Sequence, residues 1–233
     1  MPIDFADVDA LTFDCYGTLI DWEAGIARGL GVLLASQGNT ADREELLERF
    51  AGHETTLEAG PYRRYREILA EAGRRMGRDY GIEPSDDATE AFAASVGEWP
   101  AFPDSAAALT RLAERFRLGV ITNCDDDLFA LSNRRLGVTF DWIITAEQAH
   151  SYKPDPRNFE LAFERIEVPR ERIVHVAQSL YHDHVPAKAL GLTTVWIDRR
   201  RDRPGFGATP PAEATPDLVL PDMASLAAAA LAD

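Results

Sequence analysis

Cysteine is nearly absent: the chain holds two, Cys15 and Cys124. A pair so far apart builds neither a disulfide scaffold nor a zinc site. Both read as small buried side chains kept reduced. Long apolar runs are missing as well. No stretch approaches the roughly 20 residues that cross a bilayer. Positive charge is scarce, with 24 Lys and Arg against 39 Asp and Glu and a net charge of −15. That balance repels phosphate backbones and anionic headgroups, so no nucleic acid and no membrane is expected as a partner. Met1 to Asp9 is acidic and carries no basic stretch, unlike a secretion signal. A cytoplasmic location is expected. The one basic run, Arg199-Arg200-Arg201 with Arg203, reads as a solvated loop.

Apolar residues are plentiful, at 45% of 233 residues, enough for a substantial core. Their spacing divides the chain. From about residue 21 to 100 the pattern is helical. Leu46, Leu47 and Phe50 recur at helical spacing, as do Tyr62, Tyr65, Ile68 and Leu69. Gly60-Pro61 breaks one helix and begins the next. Glu83 to Asp87 starts another, with Phe92 and Val96 as its inner face. Outside that zone strands alternate with helices. Strands are expected at Val8–Asp14, Leu118–Thr122, Trp142–Thr145, Ile173–Ala177, Thr194–Ile197 and Leu218–Leu220. Helices are expected from Pro103 to about Arg115, at Asp125–Leu136, Pro156–Ile166 and Val185–Leu190, and around Ser225–Leu231. This alternation predicts an α/β fold with a mostly parallel sheet flanked by helices. An α/β core over 1–20 and 101–233 is thus interrupted by an all-helical insertion over 21–100. Pro204 to Pro216 reads as an exposed loop.

The chemistry concentrates at strand ends. The run Val8 to Phe13 stops at Asp14, and Cys15-Tyr16-Gly17-Thr18-Leu19 follows. Open α/β sheets place their ligands outside the carboxyl ends of strands. Parallel strands put Thr122-Asn123, Lys153-Pro154 and Gln178-Ser179-Leu180-Tyr181-His182-Asp183 at that same edge. The helical insertion leaves the chain directly after Asp14, a position that suits a lid. Each group has a plainer reading. Asp14 could cap a helix, Lys153 could be a surface lysine before a turn, and Asp183 could cap the helix leading to Leu190. His182 and His184 read as polar packing or helix-start residues rather than metal ligands. Tyr16, Trp22 and Trp99 could wall an apolar pocket or pack in the core.

Taken in order, these motifs resemble the haloacid dehalogenase superfamily, and the resemblance covers essentially the whole chain. It implies a Rossmann-like core with an inserted helical cap. Phosphatases of the superfamily carry a second acid two residues after the first. Here Tyr16 stands there, and Phe13-Asp14-Cys15-Tyr16-Gly17-Thr18-Leu19 is similar to the L-2-haloacid dehalogenase branch, which needs no metal or other cofactor. Gln178-Ser179 likewise replaces an acid pair that helps bind magnesium.

The resemblance implies hydrolytic dehalogenation of short-chain 2-haloacids. Asp14 is the implied nucleophile and forms an aspartyl ester. Lys153 is its counter-charge, expected to hold its pKa down. Thr18 donates a hydrogen bond, and Asp183 orients Lys153 or the hydrolytic water. Tyr16, Thr122, Asn123 and Ser179 are implied to meet the substrate. The branch also has a cap arginine for the substrate carboxylate or halide. Among Arg43, Arg49, Arg63 and Arg64, Arg49 is taken for that role. Gln178, Leu180 and Phe159 depart from the branch's pattern. Two alternatives stay open: another C2-electrophile such as a cyclic imino acid, and a magnesium-dependent phosphatase. A small-molecule substrate and a homodimer are the partners expected.

Overall fold

Strand β1, Ala10–Phe13, is buried along its whole length because strands cover both of its edges. It pairs in parallel with β2 (Arg117–Thr122) and with β4 (Ile173–Ala177), Phe13 standing opposite both Val120 and Val176. β3 (Trp142–Thr145), β5 (Thr193–Ile197) and β6 (Leu218–Leu220) complete a six-stranded sheet in the order β3-β2-β1-β4-β5-β6. Every pairing is parallel. The four inner strands are almost wholly buried, while edge strands β3 and β6 are partly exposed, as covered parallel sheets require. The computed structural model describes residues 3–35 and 42–232. Residues 1–2, 36–41 and 233, which fall within the expected ranges 1–20, 21–100 and 101–233, lie outside the described residues.

Alternation along the strands feeds two apolar clusters. Leu11, Phe13, Leu118, Val120, Val174 and Val176 face one side. They pack with α5 (Ser105–Leu112), α6 (Asp126–Leu136), α10 (Met223–Ala230) and the helices that follow β1. Ala10, Ile121 and Ile173 face the other side, with α8 (Arg157–Arg165) and α9 (Val185–Ala189).

Between β1 and α5 the chain forms α1 (Trp22–Leu34), α2 (Arg43–Glu58), α3 (Tyr65–Asp79) and α4 (Asp86–Ala94). Their starts are chemically marked. Asp21 caps α1 by accepting from Ala24 N, Asp42 caps α2 through Glu44 N and Glu45 N, and Ser85 caps α4 through Ala88 N. Gly25 on α1 has no room for a side chain: a Cβ there would lie 2.2 Å from the Trp99 ring.

Several expectations need correction. Tyr62 precedes α3 instead of lying in it, and stacks on Tyr152 at 5.7 Å. Val96 lies in a short 3-10 turn after α4. Among the short elements not expected are α7 (Ala146–Ala149) and a single wide turn over Leu180–His184. The basic run is not simply a solvated loop. Arg199 donates to Thr18 O and pairs with Asp104, and Arg200, its side chain 9% exposed, joins Glu23 of α1 to Glu44 of α2. Only Arg201 and Arg203 of the run are largely in solvent. Within Pro204–Pro216, Ala208 and Thr209 are buried, and Glu23 accepts from Ala208 N.

Candidate active site

Asp14 begins where β1 stops. Its N–H still donates to Val176 O, so the sheet ladder fixes the backbone one residue beyond the strand. The next turn needs Gly17: φ is +95°, and a Cβ would lie 3.0 Å from both Gln178 Oε1 and Trp22 Nε1. That turn aims Thr18 back at Asp14, whose Oδ2 accepts from Thr18 Oγ1 at 2.6 Å. Thr18 Oγ1 also accepts from Gln178 N at 2.9 Å, tying this turn to the end of β4.

Lys153 is 1% exposed along its side chain, and its ammonium is fully engaged. It donates to Asp14 Oδ1 at 3.0 Å, Asp183 Oδ1 at 2.6 Å and Ile121 O at 2.8 Å. Its main chain is clamped by Asn123, whose Oδ1 accepts from Lys153 N and whose Nδ2 donates to Lys153 O. Asp183 Oδ1 also contacts His175 Nε2 at 3.0 Å, and His175 Nδ1 lies 3.0 Å from Thr12 Oγ1. Asp183 therefore does not cap the following helix.

One lysine serves two buried carboxylates, and they respond differently. Burial pushes the Asp14 carboxyl up, and Asp183 adds to the rise. Lys153 and Thr18 pull it down without offsetting the burial. The expectation that Lys153 holds Asp14 below an ordinary aspartate is thus corrected. Asp183 is the lower of the two: burial raises it, but Lys153 and His175 together hold it well below the carboxylate range. Lys153 itself is raised, because the two carboxylates outweigh its desolvation.

Asp14, Lys153 and Asp183 border a cavity of about 30 Å³, room for about a water molecule or two. Tyr16, Asn123 and Ser179 line it too, so seven of the nine expected residues converge, Thr18 through Asp14. Two do not. Thr122 is buried at the end of β2 but does not line the cavity, and its hydroxyl finds no partner among the described residues. Arg49 lies on an outer face of α2, its side chain 49% exposed, paired with Glu45 one turn earlier. Arg43 pairs with Glu44, and Arg64 reaches Asp127 and Glu147. Neither these nor Arg63 lines the cavity.

A sequence profile of haloacid dehalogenase-like hydrolases matches residues 8–191. The chain belongs to this family. It is 26% identical to (S)-2-haloacid dehalogenase 4A of Burkholderia cepacia, over 86% of this chain and 87% of that one. It is 31% identical to a phosphoserine phosphatase of Thermus thermophilus, over 71% of this chain and 64% of that one. In fold it is similar to the crystal structure of a defluorinating L-2-haloacid dehalogenase, at TM-score 0.82 and 23% identity over the whole of both chains.

The helical wall of the cavity carries two acids. Glu54 and Glu58 of α2 and Tyr65 at the start of α3 line it, and sequence reasoning missed all three. Glu54 Oε1 accepts from Tyr65 OH at 2.7 Å. Burial pushes Glu54 up to about 8. Burial and then Glu54 push Glu58 well above the carboxylate range, against the pull of Lys153. A signal existed: Leu47, Phe50, Glu54 and Leu57 fall on one helical stripe, and a lone acid on an apolar stripe marks a site. His175, a polar residue inside the apolar strand Ile173–Ala177, was a second such signal.

Tyr16 OH lies 2.9 Å from Ser132 Oγ and accepts from Cys124 Sγ at 3.3 Å, while its ring meets Trp99 edge-on. Cys15 and Cys124 are buried and free, and burial raises both thiols, so neither is a thiolate nucleophile. His182 is pushed down to about 4 by burial, which leaves it neutral near pH 7. No described helix is long and apolar enough to cross a membrane.

Proposed function

We propose that the protein hydrolyses a carbon–halogen bond at C2 of a short haloacid through an ester on Asp14, without a metal ion. The observation that carries this reading is a buried carboxylate held by Thr18 on one oxygen and Lys153 on the other. A carboxylate fixed in this way is a positioned oxygen nucleophile. Its attack forms an O–C2 bond, and halide leaves with the bonding pair. Water then attacks Cγ of Asp14, the ester C–O bond breaks, and the hydroxy acid departs with Asp14 restored. The balance is one water consumed and one halide and one proton released. Asp183 supports the second step, because it lines the cavity beside Asp14 and shares Lys153 with it. It can therefore accept from the attacking water. Main-chain N–H groups after Asp14 would hold the ester's oxyanion.

The residues present do not fit a divalent cation. Tyr16 occupies the position of a second acid and turns its hydroxyl toward Ser132. The Lys153 ammonium lies between Asp14 and Asp183, where two carboxylates would otherwise draw a metal. A hard cation needs several free oxygens. This donor set argues against the phosphatase alternative, so no step is routed through a metal.

The relatives' names support the halide reading. Halide release from (S)-2-chloropropionate and haloacetates, undiminished by chelator and lost in Asp14→Asn, is the expected result. A chelator-sensitive aryl phosphatase activity would contradict it. One observation favours a change of electrophile with the same catalytic set: Glu54 and Glu58 stand in the cavity wall, where an arginine was expected.

A further inference from the structure

Four acids border the inner cavity, and they fall into two kinds. Asp14 and Asp183 share the Lys153 ammonium, whose third hydrogen goes to Ile121 O. Glu54 has no such partner. It is 3% exposed, no described cation bears on it, and its Oε1 accepts from the Tyr65 hydroxyl at 2.7 Å. Tyr65 is itself held, since its main-chain N–H donates to Asp125 Oδ1 at 2.8 Å. A buried acid without a counter-charge keeps its proton. Because Oε1 already receives the Tyr65 hydrogen, the proton of Glu54 belongs on Oε2, which bonds to no described residue. Oε2 is not among the described polar atoms sealed from solvent without a partner. The helical wall thus presents an O–H donor. An anionic substrate has few other partners here, because the cavity lining holds no arginine and its one lysine is already engaged.

We propose that Glu54, as the neutral acid, donates its Oε2 hydrogen to the carboxylate of the haloacid and serves in place of the arginine expected on this wall. The proposal rests on the displacement reading above and adds no covalent step to it. An O–H donor to a carboxylate makes a short, strong hydrogen bond. Being neutral, it leaves Lys153 as the cation beside Asp14. Glu58 lines both this cavity and an adjoining pocket of about 510 Å³. It is also held protonated, so it adds no like charge against the substrate.

The proton gives binding a pH dependence of definite sign. Glu54 releases it near pH 8. Above that value the donor is lost and the new anion repels the substrate carboxylate. The other groups that share the cavity do not imitate this fall. Tyr16 and Tyr65 are raised well above the phenol range, and His182 is neutral from about pH 4 upward. Asp183 is ionised throughout, and Lys153 is raised above 10.5. Ionisation of Asp14 increases activity with pH, the opposite sign. Glu58 shares the sign of Glu54, so a variant at Glu54 decides the assignment.

Ligand-observed NMR with lactate, the product from 2-chloropropionate, reads the contact without turnover. Wild-type affinity should fall above pH 8 by up to about tenfold per pH unit. Glu54→Leu should weaken binding about tenfold or more at pH 7, the scale of a hydrogen bond to a charged group. Glu54→Gln, whose amide donates at every pH, should recover binding relative to Glu54→Leu and abolish the fall above pH 8. Halide release from (S)-2-chloropropionate should show the same alkaline rise in KM, and the same loss of that rise in Glu54→Gln. Lactate binding independent of pH in the wild type, undiminished by Glu54→Leu, or still falling above pH 8 in Glu54→Gln would overturn the proposal. If no haloacid loses halide, the displacement reading fails on its own. The lactate titration then still decides the recognition role, and absence of lactate binding overturns it.

Discussion

Glu54→Gln should stabilise the protein, and the gain should grow with pH. Glu54 keeps its proton in the folded state up to about pH 8, whereas the unfolded chain releases it near 4.5. Between those values the folded state binds more protons than the unfolded state, so wild-type stability falls as pH rises. Below the lower value both states are protonated and the contribution vanishes. Above the upper value the penalty is complete. A shift of this size, at about 1.4 kcal/mol per pKa unit, sets a ceiling on the order of 5 kcal/mol. Glutamine keeps the shape and the Oε1 acceptor for Tyr65 OH, and it has no proton to lose. For a chain of this length, about 2–4 °C of melting temperature corresponds to each kcal/mol. The variant should therefore melt with the wild type near pH 4.5 and on the order of 10 °C above it near pH 8.5. Thermal melts followed by circular dichroism at both ends of that window measure the effect. A difference that does not change with pH would refute the reasoning, because it would mean that Glu54 titrates as an ordinary exposed acid.

Two further outcomes follow from the same electrostatics. Lys153→Met removes the cation shared by Asp14 and Asp183, which should cost about 3–5 kcal/mol near pH 8 in denaturant titrations and abolish turnover. The loss should shrink as pH falls and the two buried carboxylates take up protons, and a loss independent of pH would contradict the ion-pair account. Asp14 must be ionised to attack, so the acid limb of kcat/KM should lie above the ordinary aspartate value of 3.8, in keeping with its raised pKa. Thr18→Val removes a hydrogen bond that lowers it, and should move that limb further up in a pH–rate profile.

The core was legible because its strands are short apolar runs ending in chemistry. Trp142–Thr145, Ile173–Ala177 and Leu218–Leu220 fall where the pattern put them. β1 is shorter than expected, since Val8 and Asp9 precede the paired residues and Asp14 has already left the strand. Asp14, Thr18, Lys153 and Asp183 were legible for a topological reason: parallel strands bring their carboxyl ends to one edge, whatever the sequence separation. The helical wall was not. The apolar stripe Leu47, Phe50, Leu57 puts Glu54 on the inner face of α2 and Arg49 off it, but which site that face meets, and that Glu58 borders it too, depends on how α1 to α4 pack. The role of Arg199 and Arg200 was hidden too, because a run of like charges reads as solvated until its acidic partners, Asp104, Glu23 and Glu44, arrive from distant segments.

The aspartyl ester is the claim on which the rest depends, and labelled water tests it directly. During turnover in water enriched in heavy oxygen, attack at Cγ should place the label in Asp14, and digestion followed by mass spectrometry should find it in the peptide that contains that residue. In a single turnover with enzyme in excess, the product should carry unlabelled oxygen taken from Asp14. A labelled product in that single turnover, with an unlabelled Asp14 peptide, would mean that water attacks the substrate carbon itself and would contradict the account.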